Sequence, residues 1–481
     1  MKNCLLLNEL QCCCKQFGCE SMSTIRIKKS TDLTEGNIWS VLIAFALPIF
    51  VGQIFQNLYS SVDSVVVGRF VSSDALGAVN ASASISGMLV GFFTGLSAGV
   101  GVVFASNYGA KNYKKLHDAI HTALTFTLVV GGAVGVLGAF FSPVLLNLVN
   151  CDPEIMIEAV NYLRIYMIGV TFTAMYNVGA GVLRSIGDSQ SPFYFLVISS
   201  CTNIILDLVF VVGFSWGVTG VAVATVISQG ISLVLVVRKM MLLDDEYCLK
   251  LQDLSVDFAV LKEVLFLGLP AAIQSSITSI SNLFVNRYIN SFSKAATAGI
   301  GTAMKIDRFA GMASQSVGLA IPTFISQNCG AKKFDRAKEG VKAAVLLTSA
   351  LIVVPAVIIY MFPEIFARIF TFDEVVIEVI VGMLKTIMPF YLFMGFHSVF
   401  GGVVRGFGKS TQSTICSVGV MVVIRQIWLA ISLDTNYTIQ NVYWCYPIGW
   451  ISATIFSYGY YRFAIKKKID NGTFVFTKSK D

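Results

Sequence analysis

Apolar residues in this chain gather into long unbroken runs divided by short polar stretches. Twelve such runs, at 39–61, 79–104, 119–141, 159–182, 193–213, 217–237, 265–287, 298–325, 341–362, 378–402, 411–431 and 440–461, come close to the 20 or so residues of α-helix that cross a hydrocarbon layer roughly 30 Å thick. None alternates with period two, so a closed β-barrel is excluded. The pattern predicts an all-α membrane protein with twelve transmembrane helices.

Composition supports this: 55% of residues are hydrophobic, 13% are charged and the mean hydropathy is +0.72, whereas soluble chains carry about 25% charged residues. A net charge of +7 would suggest nucleic acid if it were clustered on a polar surface. Its placement gives another explanation. No Lys or Arg lies between Leu116 and Leu163 or between Gly213 and Gly217, while 26 of the 35 basic residues fall in the tails and in the loops after even-numbered helices. That asymmetry predicts a multi-pass protein of the cell membrane with both termini cytoplasmic, the lipid bilayer as partner and no nucleic acid. Most of the 11 cysteines stand singly in apolar runs, as Cys201, Cys416 and Cys445 do, and act as small hydrophobes. Cys12, Cys13, Cys14 and Cys19 lack zinc-like spacing or a nearby His and are read as an incidental extension, with Met22 a second possible start.

The chain also repeats itself. Asn107-Tyr108-Gly109-Ala110-Lys111 recurs as Asn328-Cys329-Gly330-Ala331-Lys332, and Arg184-Ser185-Ile186-Gly187 as Arg405-Gly406-Phe407-Gly408, both at an offset of 221. The Ala-Leu-Pro at 46–48 answers the Gly-Leu-Pro at 268–270 at an offset of 222. Six helices per half is an even number, so the halves enter the membrane in the same sense and are expected to relate by an axis along its normal. The expected organisation is an N-terminal segment 1–38, a six-helix bundle 39–237, a linker 238–264, a second bundle 265–461 and a tail 462–481. A substrate cavity is expected between the bundles.

Chemistry is sought where ionisable groups sit in lipid, because a charge at helix centre costs about 2.5–3.5 kcal/mol on insertion scales. Gln53, Gln56, Asn57, Ser60 and Asp63 form a polar stripe on the first helix, and Asn203 and Asp207 share a face of the fifth, where the amide is expected to hydrogen-bond the acid. Straight helices place Asp63 roughly 36 Å from Trp39 and Asp207 roughly 22 Å from Pro192, so a tilt or a bend at Pro48 is needed to level the acids; otherwise Asp63 is an interfacial cap. Gln274, Thr278, Ser281 and Asn282 make a neutral stripe on the seventh helix that either lines a cavity or binds a neighbouring helix. Lys305, Asp307 and Arg308 read as an interfacial cluster opening the eighth helix, and His397 as a core residue able to titrate. His117 and His121 have zinc-pair spacing without the companion Glu, so no metal is assigned. Gly87, Gly91, Gly95 and Gly99 offer a smooth packing face.

The Leu-Pro opening of helix one, Val62-Asp63-Ser64, Val67-Gly68-Arg69, Asn107-Tyr108-Gly109-Ala110, Leu183-Arg184-Ser185-Ile186-Gly187-Asp188 and Asn203-Ile204-Ile205-Leu206-Asp207 resemble the multidrug and toxic compound extrusion (MATE) family over about residues 30–465. The resemblance implies two six-helix bundles that rock about a central cavity and move organic cations or drugs outward against inward H+ or Na+, with no other cofactor. It further implies an N-lobe cation site at Asp63, Asn203 and Asp207 with Asn177 and Thr225 as additional ligands. From their stripes and burial, Gln53, Gln56, Asn57, Gln274, Thr278, Asn282 and His397 are expected around the cargo. The acids that some Na+-linked members carry on helices seven and ten are missing. A monomer is expected. Among rival classes, a lipid-linked precursor flippase of the same broad superfamily would need more Arg and Lys in its cavity, and an intramembrane enzyme would need a nucleophile-base or metal set that three His and no Gly-x-Ser-x-Gly do not supply.

Overall fold

A computed structural model describes residues 31–149, 151–244 and 246–476. The N-terminal cysteines, the basic residues up to Lys29, Asp245, and Lys478 and Lys480 lie outside the described residues. Twelve long helices are present among the described residues: α1 (Ile38–Phe70), α2 (Ser73–Gly109), α3 (Tyr113–Phe140), α4 (Met156–Ser185), α5 (Gln190–Gly213), α6 (Gly217–Met241), α7 (Phe258–Asn290), α8 (Lys294–Gly330), α9 (Phe334–Met361), α10 (Glu374–Gly406), α11 (Ser410–Thr435) and α12 (Ile439–Gly459, continued by a wider π-helical stretch Tyr460–Lys466). Ten are apolar enough by length and composition to cross a bilayer. The exceptions are α8, with Lys305, Asp307 and Arg308 in its course, and α12, rich in Tyr and Trp.

Several helices outrun their apolar runs, because a helix does not stop where hydrocarbon does; capping sets the ends. Asn37 accepts from the amides of Trp39 and Ser40 at the head of α1, and Asp257 from those of Ala259 and Val260 at the head of α7. Ser72 and Ser293 do the same for α2 and α8, each accepting from the amide three residues on at 3.0 Å. The Ser293 cap starts α8 at Lys294, so Lys305, Asp307 and Arg308 lie three to four turns in and do not open the helix. Asp307 does not join an interfacial ion-pair cluster, since no ion pair connects it to Lys305 or Arg308 among the described residues.

The repeat is structural. Lys111 and Lys332 both take left-handed backbone (φ 56° and 58°), as do Gly187 and Gly408 (φ 92° and 74°). In each motif the same backbone bonds close the turn: the Lys111 amide donates to Tyr108 and the Lys332 amide to Cys329, both at 3.0 Å. The Asn107 and Asn328 amides donate to Val103 and Phe324, at 2.9 and 2.8 Å. Four linked features at one offset define two copies of one six-helix unit.

The copies interlock. Leu42 and Phe45, from the first half of α1, belong to a core built by α8, α9 and α10, whereas Val66 and Val67 near its end pack with α2, α4 and α6. At equivalent positions, Val264 and Leu267 of α7 pack into the core of the first copy while Val285 and Ile289 pack into that of the second. The face on which α1 begins and α12 ends, here the tail face, is where the copies meet most closely. A Cβ on Gly109 would overlap the Gln327 carbonyl, and one on Gly330 would overlap the Ser106 carbonyl. The contact is reciprocal, since Gln327 and Ser106 are themselves 221 apart, as a two-fold requires. Along α2 the tightness fades: Gly99 and Gly95 press on the backbone of Leu267 and Ala271, Gly91 comes no closer than 3.6 Å to Ser275, and Gly87 has nothing within 4 Å. Over these 12 residues, roughly 18 Å of helix, α2 and α7 draw apart.

Candidate functional site

Asp207 ends the regular part of α5, and the helix then widens into a π-helical turn over Leu208–Gly213. Its side chain is fully buried, and neither carboxyl oxygen has a hydrogen-bond partner. Asp63, half-buried on α1, is the acid close enough to interact with it. The levelling that straight-helix arithmetic demanded is therefore achieved, and Asp63 lies inside α1, two turns before its end, so it is not a terminal cap. Tyr59 lies one turn before Asp63, and Tyr162 and Tyr166, stacked on α4 with ring centroids 6.2 Å apart, pack in one cluster with Val62, Val66 and Val67 around it.

The expected bond between Asn203 and Asp207 is absent. Asn203 is buried on the same face, yet neither its amide oxygen nor its nitrogen has a partner, and the Asp207 oxygens have none either. Asn177 is engaged elsewhere: its amide donates to the Thr173 carbonyl at 2.8 Å and its oxygen accepts from Thr94 at 3.2 Å, tying α4 to α2. The Thr225 hydroxyl donates to the Val221 carbonyl at 2.9 Å. Among the described residues neither Asn177 nor Thr225 bonds to the acids.

The polar stripe of α7 serves a neighbouring helix. Gln274 donates to Ser417 of α11 at 3.0 Å, Asn282 accepts from both terminal nitrogens of Arg425 at 3.2 Å, and Ser281 accepts from the same guanidinium; Thr278 returns its hydroxyl to the Gln274 carbonyl at 2.9 Å. On α1, Asn57 donates to the Gln53 carbonyl at 2.8 Å and reaches Met312 of α8, while Gln56 is exposed. Nδ1 of His397 is buried without a partner. Sequence reasoning missed three things. Arg425, 4% exposed under the Tyr446 ring, was legible as a lone charge inside the apolar run 411–431. The i, i+4 pair Tyr162 and Tyr166 was legible as an aromatic face, but nothing in sequence joins it to α1. The backbone engagement of Gly109 and Gly330 had its signal in the repeat.

A twelve-helix membrane protein of two like bundles, with two acids set inside the helices of the first, has the architecture of a transporter. The MatE family model matches residues 48–209 and again 270–429, so the chain belongs to the MatE family and spans the membrane many times. It is 29% identical over 442 residues, 90% of this chain and 95% of the other, to the probable multidrug resistance protein YoeA of Bacillus subtilis strain 168. It is 21% identical over 388 residues, 80% of this chain and 86% of the other, to the multidrug export protein MepA of Staphylococcus aureus strain bovine RF122 / ET3-1. Among solved structures, a MOP superfamily transporter from Pyrococcus furiosus, described as having a binding pocket of reversed polarity, shares the fold with TM-score 0.85 at 21% identity, covering 92% of this chain and 100% of that one. An outward-facing multidrug resistance MATE family transporter does so at 0.84, with 21% identity and 92% and 99% coverage.

Proposed function

We propose that this chain is a secondary active antiporter that exports organic cations or drugs in exchange for H+ or Na+ by alternating access. The facing carboxyls of Asp63 and Asp207, buried without protein donors, carry this reading: they supply a place where one inward cation and the charge of an outgoing cargo compete. The names of the relatives support the cargo class. The loosening of the α2–α7 contact away from the tail face supports alternation, and the basic residues of the tail face support a cytoplasmic location for both termini, with each bundle acting as a lobe and the monomer as the working unit. Proteoliposomes with an imposed pH or Na+ gradient test the exchange. Asp207→Asn keeps the size of the side chain and removes its charge; with expression and folding matched, it is expected to abolish gradient-driven efflux, and Asp63→Asn to do the same. Full efflux by Asp207→Asn would overturn the assignment of coupling to this pair.

A further inference from the structure

We propose that His117, His121 and Asp253 form a site for a divalent transition metal of the zinc type on the tail face, where the linker between the copies docks on α3. The observations behind this are separate from the acids of the membrane. His117 and His121 lie four residues apart in the first turns of α3, their rings 4.0 Å apart between centroids. Sequence offers them no third ligand. The fold does, because the short turn Leu251–Asp253 of the linker carries the Asp253 carboxylate to 3.7 Å from His117 Nε2. One ligand atom from each of the three residues lies within 4.8 Å of the other two. Tetrahedral zinc, with bonds of about 2.0–2.2 Å, holds its ligands roughly 3.4 Å apart. Side-chain movements on the order of 1 Å close that gap, and His117 and Asp253, 20% and 48% exposed, are free to make them.

His121 is already oriented as a ligand. It is 1% exposed, and with its Nδ1–H donating to the His117 carbonyl at 2.8 Å, its Nε2 carries the lone pair. A fixed Nδ1 donor behind a ligating Nε2 is the usual support of metal-binding histidines. Here Nε2 accepts from the Lys250 amide at 3.0 Å and also lies 3.1 Å from the Lys250 carbonyl, and a metal would take over that lone pair, leaving both backbone groups to water. A cavity of about 370 Å³, lined also by Thr122, Gln252, Ser255 and Asp257, borders the three residues and has room for the metal's water ligand. Asp118 and Asp257 bring further carboxylates beside Asp253, and Lys115 pairs with Glu263 at 2.6 Å. Two imidazoles and a carboxylate suit Zn2+, Ni2+ or Cu2+ better than Mg2+ or Ca2+. A bound ion would staple the linker to the first copy.

The test uses the full chain, purified in detergent without a polyhistidine tag and with Cys4, Cys12, Cys13, Cys14 and Cys19 changed to Ser, so that the N-terminal thiols do not compete. Zn2+ is titrated by calorimetry and Co2+ by visible absorption. The expected result is one equivalent bound with a tetrahedral Co2+ spectrum free of thiolate bands, and at least tenfold weaker binding in both His117→Ala and Asp253→Ala, since even outer-shell changes cost 10–100-fold. Unchanged metal-free melting of the two variants shows that they fold. Absence of stoichiometric binding by the parent, or binding that survives either substitution at full affinity, would overturn the proposal.

Discussion

The reciprocal contact at the tail face makes a measurable claim about conformational balance. In Gly330→Ala the new methyl meets the backbone of Ser106, and in Gly109→Ala that of Gln327; backbone cannot rotate out of the way as a side chain can. Overpacking of this kind costs about 1–3 kcal/mol, and the cost falls only on the state in which the copies touch. If opening of the tail face relieves it, the equilibrium shifts toward the open state by about 5- to 150-fold. Each substitution should have a similar effect, and the double variant should fall short of additivity, because one opening relieves both overlaps. Cys329, 3% exposed beside Gly330, is a built-in reporter. With the other cysteines changed to Ser, its labelling by a membrane-impermeant maleimide should accelerate by that factor in either alanine variant. Cys445, fully buried in the second copy and tested as the sole cysteine, should stay at the parent rate, which separates opening from unfolding. Parent-rate labelling of Cys329 in both variants would refute the idea that this contact defines the closed tail face.

Three further outcomes are expected. Arg425→Met removes the hydrogen bonds to Ser281 and Asn282 and strands those groups in the core; a loss of about 2–5 kcal/mol should appear as a lower melting temperature in detergent, whatever the efflux activity. Asp470, beyond α12, is held below its usual 3.8 by the Lys338 ammonium donating to it at 2.7 Å. A depressed carboxylate supports docking above its unfolded pKa and loses that support as pH falls through the folded one, so hydrogen exchange of residues 467–476 should be flat from pH 8 to 5 and rise only below about pH 4; a rise near neutrality would contradict it. Swapping Lys111 or Lys332 for Val, a residue that resists left-handed backbone, should destabilise by roughly 1–3 kcal/mol, whereas Gly at either place should be tolerated; equal melting of the Val and Gly variants would refute the turn argument.

What the sequence made legible follows from the solvent. Lipid permits few backbone solutions, so the twelve apolar runs and the repeat offset read through to α1–α12 and to the duplicated turns with little loss. Helix ends were less legible because Ser72 and Ser293 start helices well outside hydrocarbon. The site was half legible. A carboxylate in an apolar run marks itself, as Asp207 does, but which acid lies beside it is set by how α1 and α5 cross, and sequence cannot say that this is Asp63. The same limit hid the third member of the histidine cluster, since Asp253 stands 132 residues beyond His121, and left the α7 stripe undecided until Arg425 and Ser417 took its amides.

The exchange of helix beginnings between the copies also bears on how the chain is made. Leu42 and Phe45 emerge early, yet the surfaces that cover them, around Phe324 and Ala344, are about 300 residues further on. At about 5–20 residues per second, synthesis leaves the head of α1 without its native neighbours for roughly 15–60 s. The first six helices, finished on their own, also lack the wall that Val264 and Leu267 provide. A chaperoned wait in the membrane is therefore written into the topology, and a chain cut in the linker should regain its shape only when both pieces are produced together.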